Sequence, residues 1–142
     1  MNIKIYHTLP KESIEIRNNV FVEEQGFREE FDGIDHRAVH LVLFCDDIPA
    51  ATCRYFKEQD TEQDSDTYLR GRMAVLKTYR GQDFGSLLLA RAEAEMKQAG
   101  AKAVKLHAQQ RAVPFYEKNG YSAYGDIEPE EGYPHVWMMK RL

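Results

Sequence analysis

At 142 residues, with 43% hydrophobic and 30% charged side chains, the chain has the composition of a globular protein and a length suited to one domain over residues 1–142. A formal net charge of -4 gives no basic footprint for nucleic acid, and no apolar run approaches the roughly 20 residues of a membrane span. Cys45 and Cys53 form no Cys-x-x-Cys pattern and read as reduced thiols, and no His, Cys and Asp cluster has metal-ligand spacing. The N-terminus lacks the apolar core of a signal peptide. These features lead to the expectation of a cytoplasmic protein without metal, nucleic-acid partner or membrane.

Residues 2–7 alternate like a strand. Pro10 to Ser13 open a helix whose face includes Ile16 and Val20, and Glu24-Gln25-Gly26 ends it. Residues 27–37 read as loop or short helix. Residues 39–45 and 48–56 are β-rich, and Asp46-Asp47 between them suggests a hairpin turn. Residues 57–67 form a polar, acidic surface loop, with a rim attracting cationic substrates as the sharper reading. Residues 68–76 form the next strand. Phe84, Leu88, Ala92, Met96 and Ala99 recur as a helical stripe, and Gly100 stands where a stop is expected. A strand over 103–108 and a short helix over 113–119 follow, with Pro114 in the first turn and Gly120 at the end. Strands over 121–124 and 135–141 flank an acidic loop at 126–132. The order β-α-β-β-β-α-β-α-β-β predicts an α/β (α+β) mixed sheet with helices on both faces.

The most informative stretch is an apolar strand, Met73-Ala74-Val75-Leu76, followed by a glycine-bearing turn and an amphipathic helix. Such a turn leaves backbone N–H groups unpaired at the positive end of a helix, where phosphate binds. It is neither a G-x-G-x-x-G fingerprint nor a P-loop. A plain strand-to-helix turn without a ligand is the alternative. Arg80, Gly81, Gln82, Phe84 and Gly85 resemble the acetyl-CoA loop of the GNAT N-acetyltransferases, with Asp83 where that family has its first core glycine. Three more blocks carry the resemblance: the run from Arg17 to Gly26, with Asp32, Asp35, Ala38 and His40 after it; Ala108-Gln109 with Pro114-Phe115-Tyr116-Glu117-Lys118-Asn119-Gly120-Tyr121; and Gly132-Tyr133-Pro134-His135 with Met138. They are similar to the small bacterial ElaA/YjcF-like branch.

The resemblance implies the GNAT fold, whose fourth strand splays from the fifth to open a cleft. It implies acetyl-CoA as cofactor, with its pantetheine arm on the backbone of Met73, Ala74 and Val75. Its pyrophosphate is expected on Arg80, Gly81, Gln82, Asp83, Phe84, Gly85 and Ser86. Asp83 tolerates a positive φ better than most residues, so its carboxylate either faces solvent or caps the helix. Tyr116 is the expected acid that protonates the departing thiolate and lies beside the cofactor. Many relatives carry a glutamate base on the fourth strand, where this chain has Arg70 and Arg72. His107, His135 and Glu24 are the candidate bases, with a water chain as the alternative. Glu24, Gln25 and His135 are candidate acceptor-binding residues.

The implied activity is acetyl transfer to a primary amine of a small molecule or peptide, in a ternary complex without an acyl-cysteine. Asp83 and the missing glutamate motivate a rival, an acyl-CoA-binding sensor or interaction module; binding of another nucleotide is a weaker one. Acidic Glu24, Asp32, Asp35, Glu128, Glu130 and Glu131 hint at a cationic acceptor, although solvated loops explain them equally well. The Tyr133 and Trp137 region would either line the acceptor pocket or form a homodimer edge.

Overall fold

In a computed structural model, residues 1–27, 31–59 and 66–142 are described. Seven strands form one mixed sheet in the order β1-β2-β3-β4-β5-β7-β6. They are β1 (Asn2–Tyr6), β2 (Val39–Cys45), β3 (Ile48–Lys57), β4 (Thr67–Val75), β5 (Ala103–Gln109), β6 (Ser122–Glu130) and β7 (Tyr133–Arg141). Three α-helices, α1 (Lys11–Arg17), α2 (Phe84–Gln98) and α3 (Val113–Lys118), complete the expected element order.

The centre of the sheet is covered on both faces, so β2 reads as a continuous apolar run. Leu41 and Leu43 enter a core with Phe84, Leu88, Leu89, Ala92 and Met96 of α2. Val42 and Phe44 point the other way, onto Ile16 of α1 with Val20 and Phe21 beyond it. The α2 stripe differs slightly from its expected form. Leu89 joins it, while Ala99 is exposed at the helix C-cap.

Three local features depart from expectation. The first helix does not run on as an α-helix to Glu24; residues Asn18–Glu24 form a π-helical turn, a geometry often found beside functional sites. The segment 126–132 is not an acidic loop. Asp126 to Glu130 belong to β6, which turns at Glu131 and Gly132, both with positive φ, directly into β7. Asp46 and Asp47 make the same kind of tight turn between β2 and β3, as expected. Of the loop expected at 57–67, Lys57 closes β3 and Thr67 opens β4, and residues 60–65 lie outside the described residues.

All neighbouring strands are antiparallel except β4 and β5. That parallel pair is joined only from Thr67 to Leu69 against Ala103 to Lys105. Beyond it the strands diverge, and β5 continues on β7 alone. A bulge on β4 sharpens the divergence. Thr52 pairs with Ala74 and Arg54 with Gly71, so Arg72 and Met73 face the single residue Cys53. Arg72 takes the positive φ of 52° that the bulge requires.

Candidate active site

The fork between β4 and β5 opens a cavity of about 920 Å³. It brings together β4 from Leu69 to Val75, the turn before α2, the end of the π-helical segment, α3 and the β6–β7 hairpin. Past Leu69 the β5-facing edge of β4 has no strand partner among the described residues, and Met73 to Val75 line the cavity.

The turn before α2 has a left-handed backbone. Gly81 has φ 81°, and Asp83, the N-cap residue, has φ 63° and ψ 16°. This left-handed conformation is the one a glycine adopts freely and an aspartate tolerates. Of the two expected placements for its carboxylate, the structure has the exposed one; it makes no capping hydrogen bond. Leu87 is the first residue of the helix to donate back, to Asp83 O at 3.0 Å. The N–H groups of Phe84, Gly85 and Ser86 therefore project from the start of a 15-residue helix without intrahelical acceptors. A β-carbon at Gly85 would lie 3.3 Å from Phe115 Cζ, tighter than ordinary contact. The missing side chain and the projecting N–H groups fit a pyrophosphate-bearing group at this cradle.

Arg80 is placed differently from a free phosphate-binding cation. Its Nε donates to Val75 O at 2.9 Å, and its two terminal nitrogens donate to Glu24 at 2.8 and 3.1 Å. One predicted cofactor residue thus occupies the carbonyl of another, and Glu24 balances its charge. The first-helix signature and the turn before α2 are tied together across the cavity mouth.

Tyr116 of α3 is buried at the inner end of the cavity, edge-on to Phe115 and Tyr121. Its hydroxyl accepts a 2.6 Å hydrogen bond from Arg70. The hydroxyl's own proton is left to donate elsewhere.

His107 and His135 meet on the opposite face of the fork, across the β5–β7 pairing. On β5, Leu106 and Ala108 enter the α2-side core, so His107 and Gln109 face the α1 side. Gln109 duly donates to Gln25 Oε1 at 2.8 Å. The cross-strand partners of His107 and Gln109 are Trp137 and His135. The His107 ring lies 4.6 Å from Trp137 and 4.9 Å from His135, centroid to centroid.

Glu130 joins the two histidines. Its Oε2 lies 2.9 Å from His107 Nδ1 and 3.5 Å from His135 Nε2. A carboxylate only accepts, so Nδ1 of His107 carries a proton, and in the neutral ring Nε2 is the basic nitrogen. That Nε2 is buried and, among the described residues, has no hydrogen-bond partner, with Glu128 Oε1 3.9 Å away. His135 is fixed likewise, its Nδ1 donating to Tyr133 O at 2.8 Å.

The acidic residues read as a cationic-substrate signal separate into two groups. Glu128 and Glu130 stand at the histidines, whereas Asp35 is buried and chelated by Arg17 at 2.8 and 3.1 Å and by Arg54 at 2.9 Å. Burial would raise the Asp35 carboxyl, but the Arg17 and Arg54 bonds overrule it and hold it at about 2. Asp32 accepts two bonds from Arg54, and the nearby Arg72 reaches it at 3.4 Å. Asp35 is therefore part of the scaffold, and Asp32 is chiefly a partner of arginines. Cys53 is also excluded as a nucleophile, because burial pushes its thiol up to about 12.

Sequence reasoning named two cavity-lining residues without giving them these positions: Arg70 only as standing where a strand glutamate is missing, and Glu130 only as one of several acidic residues hinting at a cationic acceptor. The signal for Arg70 was a charge in the middle of an apolar strand, which Arg72 two residues on makes easy to read as a solvated pair. For Glu130 it was Glu131-Gly132, a turn pair that makes the preceding acidic residues a strand.

Residues 7–142 match the family model described as an acetyltransferase (GNAT) domain. The uncharacterised N-acetyltransferase YjcF of Bacillus subtilis is 32% identical, over 92% of this chain and 91% of its own length. The crystal structure of Escherichia coli ElaA superposes with a TM-score of 0.86 at 25% identity, covering 98% of each chain. An acyl-CoA N-acyltransferase from Pseudomonas aeruginosa gives 0.82 at 25% identity, again over 98% of each. The chain belongs to the GNAT acetyltransferase family.

Proposed function

We propose that the protein transfers an acetyl group from acetyl-CoA to a primary amine of a small molecule or peptide, in one ternary complex. The observation that carries this reading is the fork itself. One cavity holds an anion cradle and unpaired β4 backbone, a tyrosine at its inner end and an oriented histidine on the opposite face.

The N–H groups at Phe84 to Ser86 would hold the pyrophosphate, and the backbone of Met73 to Val75, apart from the Val75 carbonyl that Arg80 occupies, the pantetheine arm. Acetyl-CoA supplies the acyl group and a thiolate leaving group. His107 accepts the proton of the amine at Nε2, and Glu130 holds the ring in the tautomer that leaves this nitrogen free. The imidazolium then lies between Glu130 and Glu128, which offset its charge. Tyr116 donates its proton to the departing sulfur. His135 and Gln25, with the Trp137 and Tyr133 rings, form the acceptor wall. The oriented histidine favours an enzyme over a sensor, since binding alone needs no base.

The test is release of free CoA thiol from acetyl-CoA in the presence of tyramine, spermidine or a lysine-containing tripeptide. At least one should be acetylated, and His107→Gln should lower kcat about 100-fold while leaving acetyl-CoA affinity unchanged. Tight acetyl-CoA binding with no thiol release from any amine would leave the sensor reading instead.

A further inference from the structure

Arg70 is the least expected residue of the cavity. It is 3% exposed and lies where β4 leaves β5. Among the described residues no carboxylate pairs with it. One terminal nitrogen donates to Tyr116 Oη at 2.6 Å, the guanidinium carbon lies 5.1 Å from the Tyr116 ring centroid, and Nε has no hydrogen-bond partner. A buried cation without a counter-charge is costly, and a fold that keeps one implies an anion that arrives. The other titratable groups facing Arg70 do not supply that anion. Burial raises Cys53 and Tyr121, and both stay protonated at neutral pH.

We propose that Arg70 is a positioning residue that acts through Tyr116, turning the tyrosine proton into the cleft and offsetting the negative charge that the leaving thiolate and Tyr116 come to share. The inference rests on the acetyltransferase reading above. In the step, the amine nitrogen bonds to the acyl carbon and the carbon–sulfur bond breaks, its electron pair going to sulfur. Tyr116 passes its proton to that sulfur, and the charge left on Oη faces the guanidinium. Because Arg70 already donates to Oη, the tyrosine cannot spend its proton on this neighbour. It is held as a donor toward the cavity.

The charge offset has a signature independent of turnover. CoA carries a free thiol, and acetyl-CoA does not. Bound beside Tyr116 and Arg70, the thiol and the phenol should together lose a proton that acetyl-CoA has no means to release. Calorimetric titration at pH 7.5 in two buffers of different ionisation enthalpy counts that proton. The wild type should release approaching one proton, about one at most, per CoA bound and none per acetyl-CoA. Arg70→Met should bind both ligands without the CoA-specific release. Arg70→Gln keeps a donor to Tyr116 without the charge, and should lose it too should the methionine variant fail to fold. Tyr116→Phe should reduce it as well. Equal proton counts for CoA and acetyl-CoA in the wild type, or full release in both Arg70 variants, would overturn the proposal and leave the transferase reading standing. Failure of the wild type to bind either ligand would overturn both.

Discussion

Two buried arginine sites lie on opposite sides of the β3–β4 pair, and they are solved differently. On the α1 side, Arg17 and Arg54, 1% and 4% exposed, share the carboxylates of Asp35 and Asp32 in a chelate of short bonds. On the α2 side, Arg70 is as deeply buried, and among the described residues its hydrogen bond goes to the Tyr116 hydroxyl. The first site is balanced by its own residues, and the second is not. A balanced cluster locks segments together, here α1, β3 and the segment carrying Asp32 and Asp35. An unbalanced charge at a cavity contributes little to folding, which is why the role proposed for Arg70 is toward a ligand.

The largest break in that contrast should come from Asp35→Ala. It removes the carboxylate that the two buried guanidinium groups share, and breaking a buried ion pair costs about 3–5 kcal/mol. The melting temperature should fall by about 10 °C or more. A drop of only a degree or two would mean that the remaining partners, Asp32 among them, hold the arginines in place, and Asp35 would not be the lock described.

Acid should reproduce part of that loss without mutation. The Asp35 carboxyl is held at about 2, against an ordinary 3.8. A depressed carboxyl stabilises the fold fully above its unfolded value and loses that contribution as pH falls through the folded one. Urea unfolding should therefore weaken by about 2 kcal/mol between pH 4 and pH 2. Asp35→Asn should flatten this dependence, and an unchanged acid slope in that variant would remove Asp35 from the account.

Arg70→Met should move stability the opposite way. Replacing an unmatched buried cation with an apolar side chain of similar length should raise it by about 1 kcal/mol, read as a higher urea midpoint. A loss comparable to that of Asp35→Ala would show that the two arginine sites are alike and would erase the contrast.

The sequence made the element order legible because its periodicities are strong. The all-apolar core of β2 and the four-residue stripe of α2 leave little choice. The shape of the turn before α2 was legible for a similar reason, since Gly81, Gly85 and their spacing encode a backbone conformation. The cluster of His107, His135 and Glu130 was harder to read. Glu130 acts through a register, opposite Tyr133 and beside His107, and register is set by a two-residue turn and a bulge between Tyr124 and Glu128 that composition disguises as a loop. Asp35 misled for a related reason. A carboxylate in a charged segment looks solvated until the two arginines that bury it, one from α1 and one from β3, are brought to it by the fold. Pairings distant in sequence, such as Arg70 with Tyr116, have no local pattern to betray them.

Asp83 is a third kind of charge, neither matched nor buried, and it should give the smallest effect. It sits at φ 63° on the rim of the cradle with its carboxylate in solvent. Asp83→Gly relieves a left-handed conformation that disfavours a side chain, but it adds backbone freedom to the unfolded chain, so the net gain in stability should be only about 0.5 kcal/mol. It also removes a negative charge beside the place proposed for the pyrophosphate. Solvent and salt screen that charge, so acetyl-CoA should bind about 3-fold more tightly at low salt, with the gain shrinking at high salt. A salt-independent gain would mean that Asp83 acts through the shape of the turn. Weaker binding in the glycine variant would mean that the aspartate holds the N–H groups in place, making it part of the cradle and not a tolerated substitute.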